Sequence, residues 1–313
     1  MVREMVTIQV GQCGNQLGRL FWESALAEHA EHNASGVFDE AMSSFFRNVD
    51  GGQRDIPLGD GTGPIAGLKA RAVLVDTEGG VVAETLRGPL GTLFEEKQVI
   101  TDVSGAGNNW AHGFLDYGPR HEEAVREATR RAAELCDSLQ CFFLMHSLGG
   151  GTGSGLGTYI LSLLADDYPE AVRFTTSVFP SEDDDVVTSP YNSVLSLNEL
   201  VQHADAVLPL ENRQLADIAS RVAARREQAV GLAGSGGGGG SSGGSGGGAA
   251  PPPYRRHGGR MWLQRPRPMF PQLGPRGGPG DDSRLAKGGA VAAGKRAASK
   301  AEGFDAMNRI CAR

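Results

Sequence analysis

Cysteine is scarce in this chain of 313 residues, with four thiols at Cys13, Cys136, Cys141 and Cys311. Cys136 and Cys141 lie near each other, but no second pair of ligands follows, so a zinc site is not expected. Reduced thiols in a cytosolic protein are the expectation. Long apolar runs are also missing. None reaches the ~18 residues that a membrane-spanning helix needs, and no membrane partner is expected. The first ten residues read as a short strand, not as a basic region followed by an apolar signal core. Two common phosphate-binding signatures are absent as well. No glycine-rich stretch ends in Gly-Lys-Ser/Thr, which excludes a Walker A loop. No frame from Gly149 to Gly157 fits G-x-G-x-x-G, because the third glycine falls on Ser154, Leu156 or Thr158. That argues against a dinucleotide-dependent metabolic enzyme.

What is present is the run from Ser147 to Gly157, Ser-Leu-Gly-Gly-Gly-Thr-Gly-Ser-Gly-Leu-Gly. It follows an apolar run, Cys141–His146, that reads as a buried strand. It precedes Leu156–Tyr168, which carries Ile160, Leu161 and Leu164 at helical spacing. A glycine-rich turn between strand and helix brings bare backbone N–H groups to a helix N-terminus, an arrangement suited to phosphate.

Charge divides the chain. Residues 231–313 hold 13 Lys and Arg against 4 Asp and Glu, whereas residues 1–230 hold 17 against 33. Residues 1–230 read as one folded domain. Its predicted strands are Met5–Val10, Ala72–Asp76, Val99–Asp102, Cys141–His146, Phe174–Phe179 and Ala206–Leu208. Its other predicted helices are Gly14–Ala30, His121–Leu139 and Tyr191–His203. Alternating strands and helices imply an α/β fold, a Rossmann-like, doubly wound parallel sheet. Ligands on such sheets bind at the carboxyl ends of the strands. Residues 231–303 hold 22 of the 46 glycines and are rich in Ser, Pro and Arg. They read as a low-complexity, disordered linker. The Arg-bearing part, Tyr254–Arg276, is taken as linker, and nucleic acid is not an expected partner. Residues 304–313 read as the start of a helix too short to stand alone.

Six loops lie at predicted strand ends. They are Gly11–Gln16, Asp76–Gly80, Gly105–Ala111, the glycine-rich run above, Pro180–Asp185 and Leu208–Asn212. Together they resemble tubulin, and the resemblance runs through nearly all of residues 1–230. Gly149-Gly-Gly-Thr-Gly-Ser-Gly155 is its most specific match. Gly11-Gln-Cys-Gly-Asn-Gln16, Gly105-Ala-Gly-Asn-Asn-Trp-Ala111 and Pro190-Tyr-Asn192 are similar to eukaryotic tubulins. Ser43–Asp50, Leu139–Phe143 and Thr188–Asn192 are most similar to the epsilon branch, that of centrioles and basal bodies.

The resemblance implies a GTP or GDP site with Mg²⁺. Gly149, Gly150, Gly151, Thr152 and Gly153 would wrap the phosphates, and Ser147 would reach the nucleotide from the strand end. Gln12 would lie beneath it, Asn108 would face the terminal phosphate and Glu78 would hold Mg²⁺. Asn212 and Asn308 would read the purine edge, and Phe304 would stack on the base. Read as residues alone, Asn212 also suits a helix N-cap and Phe304 a core anchor. Glu78 also suits a solvated loop acid. The family's carboxylate before Pro-Tyr-Asn, which contacts ribose, is replaced here by Ser189. Asp185 would substitute for it in part, or belong to a solvated acidic loop. The family's second domain and C-terminal helices find no counterpart, and its hydrolysis needs an acid supplied by the next subunit. No catalytic residue is therefore assigned. A truncated product, from an alternative transcript or an imperfect gene model, is the expectation. The implied partners are guanine nucleotide, other tubulins and centriolar proteins. The alternative is a non-polymerising nucleotide-binding piece.

Overall fold

A computed structural model describes residues 3–33, 36–57, 62–181 and 186–234. Asp185, most of the expected linker and the segment carrying Phe304 and Asn308 lie outside the described residues. In chain order the elements are β1 (Glu4–Val10), α1 (Gly11–His32), β2 (Val37–Asp39), α2 (Glu40–Ser43), β3 (Phe46–Asn48), β4 (Thr62–Pro64), β5 (Leu68–Ala70) and β6 (Ala72–Asp76). Then come α3 (Gly79–Arg87), β7 (Val99–Thr101), α4 (Gly118–Glu134), β8 (Leu139–Ser147), α5 (Gly157–Asp167), β9 (Val172–Phe179), α6 (Ser189–His203), β10 (Ala206–Glu211) and α7 (Asn212–Gly234).

Six of these strands form one parallel sheet in the order β10-β9-β8-β1-β6-β7. The chain builds outward from β1 to β6 and β7, then returns to the other side of β1 for β8, β9 and β10. The topological switch point therefore lies between β1 and β8, where the loops that follow the two strands open a crevice. The apolar runs of β1, β6 and β8 suit strands covered on both faces. Side chains alternate across the pleat. Val6, Ile8, Phe142 and Leu144 join one core, closed by Val125 of α4 and by Ile160, Leu161 and Leu164 of α5. On the other face, Trp22 of α1 and Val82 of α3 pack with Leu74 and Phe94, and Leu17 packs with Met145 and Val178. Two short antiparallel pairs, β2 with β4 and β3 with β5, stand outside the main sheet.

The structure corrects several predicted boundaries. The expected helix His121–Leu139 runs instead from Gly118 to Glu134. The chain is pulled into β8 by the buried Glu4 carboxylate, which accepts the backbone N–H groups of Asp137 at 3.2 Å and Ser138 at 2.7 Å. No loop separates β1 from α1, because Gly11 is already helical and joins them with a φ of +73°. That left-handed angle favours glycine. Likewise β10 continues through Glu211, so Asn212 is the first residue of α7 rather than part of a loop. The same helix runs on to Gly234, past the boundary that composition placed at 230.

The expected helix from Leu156 is entered through a π-helical turn, Thr152–Leu156, and α4 is entered through another, His112–Tyr117. The two turns meet through glycines. A Cβ on Gly155 would sit 2.3 Å from the Trp110 carbonyl oxygen and 2.8 Å from Gly113 Cα. A Cβ on Gly113 would sit 2.4 Å from the Gly151 carbonyl oxygen. The π register is uncommon and concentrates at functional sites.

Candidate functional site

A cleft of about 920 Å³ opens at the carboxyl ends of the strands. Gln12, Glu78, Asn108, Ser147, Gly149, Gly150, Gly151, Thr152, Gly153 and Asn212 all line it. Asp185, Phe304 and Asn308 fall outside the described residues, so the structure does not place them.

The floor of the cleft is the switch point itself. A Cβ built on Gly11 would lie 3.0 Å from the Gly153 nitrogen, so the turn after β1 and the glycine-rich loop are in backbone contact. The loop is tied underneath by side chains from several elements. Thr152 shares a hydrogen bond with Thr77 across 2.6 Å. Ser154 donates to the Gly150 carbonyl, and Ser196 of α6 donates to the Ser154 carbonyl at 3.3 Å. Above the loop the space is open. A Cβ on Gly150 would point into a gap bordered by Ser147 Oγ at 3.7 Å and Asn108 Oδ1 at 3.9 Å. The bare backbone and the Ser147 hydroxyl border a space that suits an anion's oxygens, and the Asn108 carboxamide can donate there once its Nδ2, rather than the Oδ1 that faces the gap, is turned in.

Asn108 sits in the left-handed region with a φ of +51°, next to Gly107 at +59°. Asparagine is among the few side chains that accept this backbone. Its carbonyl accepts from Thr188 Oγ1 at 2.6 Å and Asn192 Nδ2 at 2.9 Å. Asn192 also donates to the Gly149 carbonyl at 2.8 Å and accepts the Trp110 N–H at 2.9 Å. One buried carboxamide therefore holds two cleft-lining loops in register. Ser189 is buried, and its hydroxyl lies 3.4 Å from the Gly149 carbonyl oxygen, a contact to the loop.

Two carboxylates stand at the end of β6. The Glu78 side chain folds over Gly105, where a Cβ would fall 2.1 Å from its Oε1. Gly105 therefore leaves room for that carboxylate at the cleft wall. Asp76 accepts the Glu78 N–H at 3.3 Å. Burial, helped by the nearby Glu78 charge, pushes the Asp76 carboxyl up to about 6 against the pull of that N–H. Arg19 of α1 closes the far wall and reaches Glu84 of α3 at 3.2 Å.

His146, the penultimate residue of β8, is fully buried beneath the glycine-rich loop. Its Nδ1 lies 2.8 Å from the Gly153 carbonyl oxygen and its Nε2 2.8 Å from Ser177 Oγ. A carbonyl can only accept, so Nδ1 carries the proton and Nε2 accepts from the Ser177 hydroxyl. Burial drives its pKa from 6.5 down to about 4, so the ring is neutral at physiological pH. The unfolded chain then takes up this proton first as pH falls. The contribution to stability is full above about pH 6.5 and is lost as pH drops toward 4, an effect of about 3 kcal/mol. Denaturant melts of the chain and of His146→Gln at pH 7 and pH 5 check this. The wild type is expected to lose about 2 kcal/mol more than the variant over that interval. Equal losses would remove the buried neutral imidazole from the account.

Asp76, Asn192 and His146 are not among the site residues expected from the sequence. Asp76 lies two residues before an acid already singled out, and His146 closes the predicted strand three residues before the first glycine of the loop. Either spacing was a usable signal. Asn192 offered none beyond its place in Pro-Tyr-Asn.

The doubly wound sheet and its glycine-floored cleft define a class, and sequence comparison agrees with it. Residues 4–220 match the Tubulin/FtsZ family GTPase domain, and the chain belongs to that family. Within the family it is 56% identical to the tubulin epsilon chain of Homo sapiens over 223 residues, covering 70% of this chain and 46% of that protein. The Mus musculus epsilon chain gives the same identity and coverage. The tubulin beta-3 chain of Zea mays is 41% identical over 226 residues, covering 70% and 48%. The chain is thus more alike to epsilon than to beta chains, and it spans about half the length of the curated relatives it matches.

Proposed function

We propose that this chain binds a guanine nucleotide with Mg²⁺ in the switch-point cleft and works as an epsilon-type tubulin-family protein. The observation that carries this reading is the meeting of three loops at one cleft: the turn at Gly11, the Gly105–Asn108 loop and Gly149–Gly153. In this reading the Gly149–Gly153 backbone and Thr152 hold the phosphates, with Ser147 at the strand end and Gln12 beneath. Asn108 meets the terminal phosphate, and Asn212 reads the base edge. Asp185 on the ribose, with Phe304 and Asn308 on the base, complete the proposed site.

Glu78 would hold Mg²⁺, with Asp76 beside it. Hard oxygen donors suit this ion, which takes one or two carboxylates and completes its shell with phosphate oxygens and water. Among the described residues no group of three or more His, Cys, Asp and Glu converges, so the ligand's own oxygens would supply the remainder. Bound there, Mg²⁺ would neutralise phosphate charge. We assign binding and not turnover, since no described residue takes a catalytic role. The proposed setting is cytoplasmic and cytoskeletal, at centrioles, basal bodies or other microtubule-organising centres. The proposed partners are other tubulins and centriolar proteins. The proposed organisation is a nucleotide domain over residues 1–230 whose last helix extends to Gly234, then a linker up to residue 303 and a helix start over 304–313.

Titration of the purified chain with a fluorescent GTP analogue in Mg²⁺ buffer tests the binding. Saturable binding displaced by GTP and GDP but not by ATP is expected. Glu78→Gln is expected to weaken it about tenfold in Mg²⁺ and to match the wild type in EDTA, a change of about 1.4 kcal/mol. No saturable binding, or equal displacement by ATP, overturns the reading.

A further inference from the structure

The loop that carries Asn108 leaves β7 at Asp102, and its stem is held by polar contacts to the first turns beyond it. Val103 is 97% exposed, so burial of that side chain does not fix the stem. Instead the Asp102 carboxylate takes His121 Nε2 at 2.9 Å and Arg120 Nη1 at 3.5 Å, both from α4. Two residues on, the Tyr117 hydroxyl donates to the Ser104 carbonyl at 2.6 Å and meets Ser104 Oγ at 2.8 Å. The buried Tyr117 ring stacks on His121 with centroids 6.0 Å apart, and the Arg120 guanidinium lies over it at 4.9 Å. The Val103 N–H, with His121 and Arg120 beside it, holds the Asp102 carboxyl below the usual carboxylate range, so it stays ionised. At its other end the loop is fixed by Thr188 and Asn192 on the Asn108 carbonyl.

Between these anchors the loop touches both halves of the phosphate end. Gly105 backs the Glu78 carboxylate, and Asn108 borders the gap over Gly150. A nucleoside triphosphate shares its divalent ion between the last two phosphates. The wall beside Glu78 is therefore the wall that the terminal phosphate meets. We infer that Asp102, Tyr117 and His121 are positioning residues that set this loop for the terminal phosphate, and so make the site favour nucleoside triphosphate over diphosphate. This rests on the guanine-nucleotide reading above. Their action is indirect: the clamp fixes the loop stem, and the stem fixes where Asn108 presents its carboxamide.

The test measures affinity for fluorescent GDP and for a fluorescent, slowly hydrolysed GTP analogue in Mg²⁺ buffer, using the full chain. His121→Ala and Asp102→Ala are expected to weaken the triphosphate five- to tenfold and to leave GDP within twofold. His121→Gln keeps an N–H to offer Asp102 and is expected to stay within about twofold of wild type for both. Tyr117→Phe keeps the ring but loses both contacts to Ser104, and it is expected to shift the ratio in the same direction even if an alanine variant fails to fold. Equal losses for both nucleotides, no loss, or a Gln variant as damaged as Ala overturn the inference while leaving the binding reading intact. A wild type that binds neither nucleotide overturns both.

Discussion

Gly155→Ala is expected to destabilise the chain by about 3 kcal/mol and to weaken nucleotide binding at least tenfold. The added methyl would meet the Trp110 carbonyl oxygen at 2.3 Å and the Phe114 nitrogen and Gly113 Cα at 2.8 Å. All three are backbone atoms, so no rotamer change relieves the contact. One π turn would have to move off the other, taking the entry of α5 away from the entry of α4. Such a loss is a large share of the roughly 5–15 kcal/mol that holds an ordinary domain together. Gly79→Ala in α3 is the contrast, since a Cβ there meets nothing within 4 Å. It should change stability by no more than about 1 kcal/mol, and alanine's better helix propensity favours a gain. Urea midpoints of the two variants check the pair. Coincident midpoints would show that the turns are not close-packed through Gly155.

The second large effect is expected at Asn192. Replacing it with Ala removes two donations, to Asn108 and Gly149, and leaves the Trp110 N–H without this acceptor. The residue is 3% exposed, so water does not readily replace what is lost. An unsatisfied buried group costs about 1–3 kcal/mol, and several are disturbed together. A destabilisation of about 3 kcal/mol follows, with at least a tenfold loss of nucleotide affinity because both loops lose their common tie. Asn192→Asp keeps an acceptor for Trp110 but turns a negative charge toward two carbonyls, and it should be no better. Nucleotide titration beside a thermal melt separates the two effects. An Asn192→Ala chain that melts and binds like wild type would rule out the tie.

Gly155 is legible in sequence as part of the glycine run, but its contact with Trp110 and Gly113 is not, and neither is the tie that Asn192 makes. The six strands of the main sheet were legible because apolar, β-branched runs ending in polar or glycine-rich turns have few other meanings. The cleft loops were legible because glycine there serves the backbone and not the core. The π turns were not, because nothing in His112–Tyr117 or Thr152–Leu156 distinguishes a π register from an α one. The end of α4 was misjudged for a different reason. Leu135 and Leu139 prolong the apolar spacing, and the Glu4 carboxylate that captures Asp137 and Ser138 lies more than 130 residues away in the chain. The Gly-Gly start of α3 reads as a breaker by propensity, yet the helix packs Val82 into the core. Asn192 acts through partners 43 to 84 residues away and His146 in part through Ser177, 31 residues on, and periodicity carries no trace of such partners.

Asn108 is under two unrelated demands. Its carboxamide borders the gap where an anion's oxygens fit, and its backbone holds a φ of +51°. Glycine would satisfy the backbone and forfeit the carboxamide. Glutamine would offer the carboxamide on a longer stem and resist the left-handed angle, and a β-branched residue would meet neither demand. Invariance at this position among relatives would therefore not by itself report on ligand binding. A chain that had abandoned nucleotide altogether would still have reason to keep Asn or Gly here, so the discriminating substitution is to Gly, which tests chemistry with the conformation held constant.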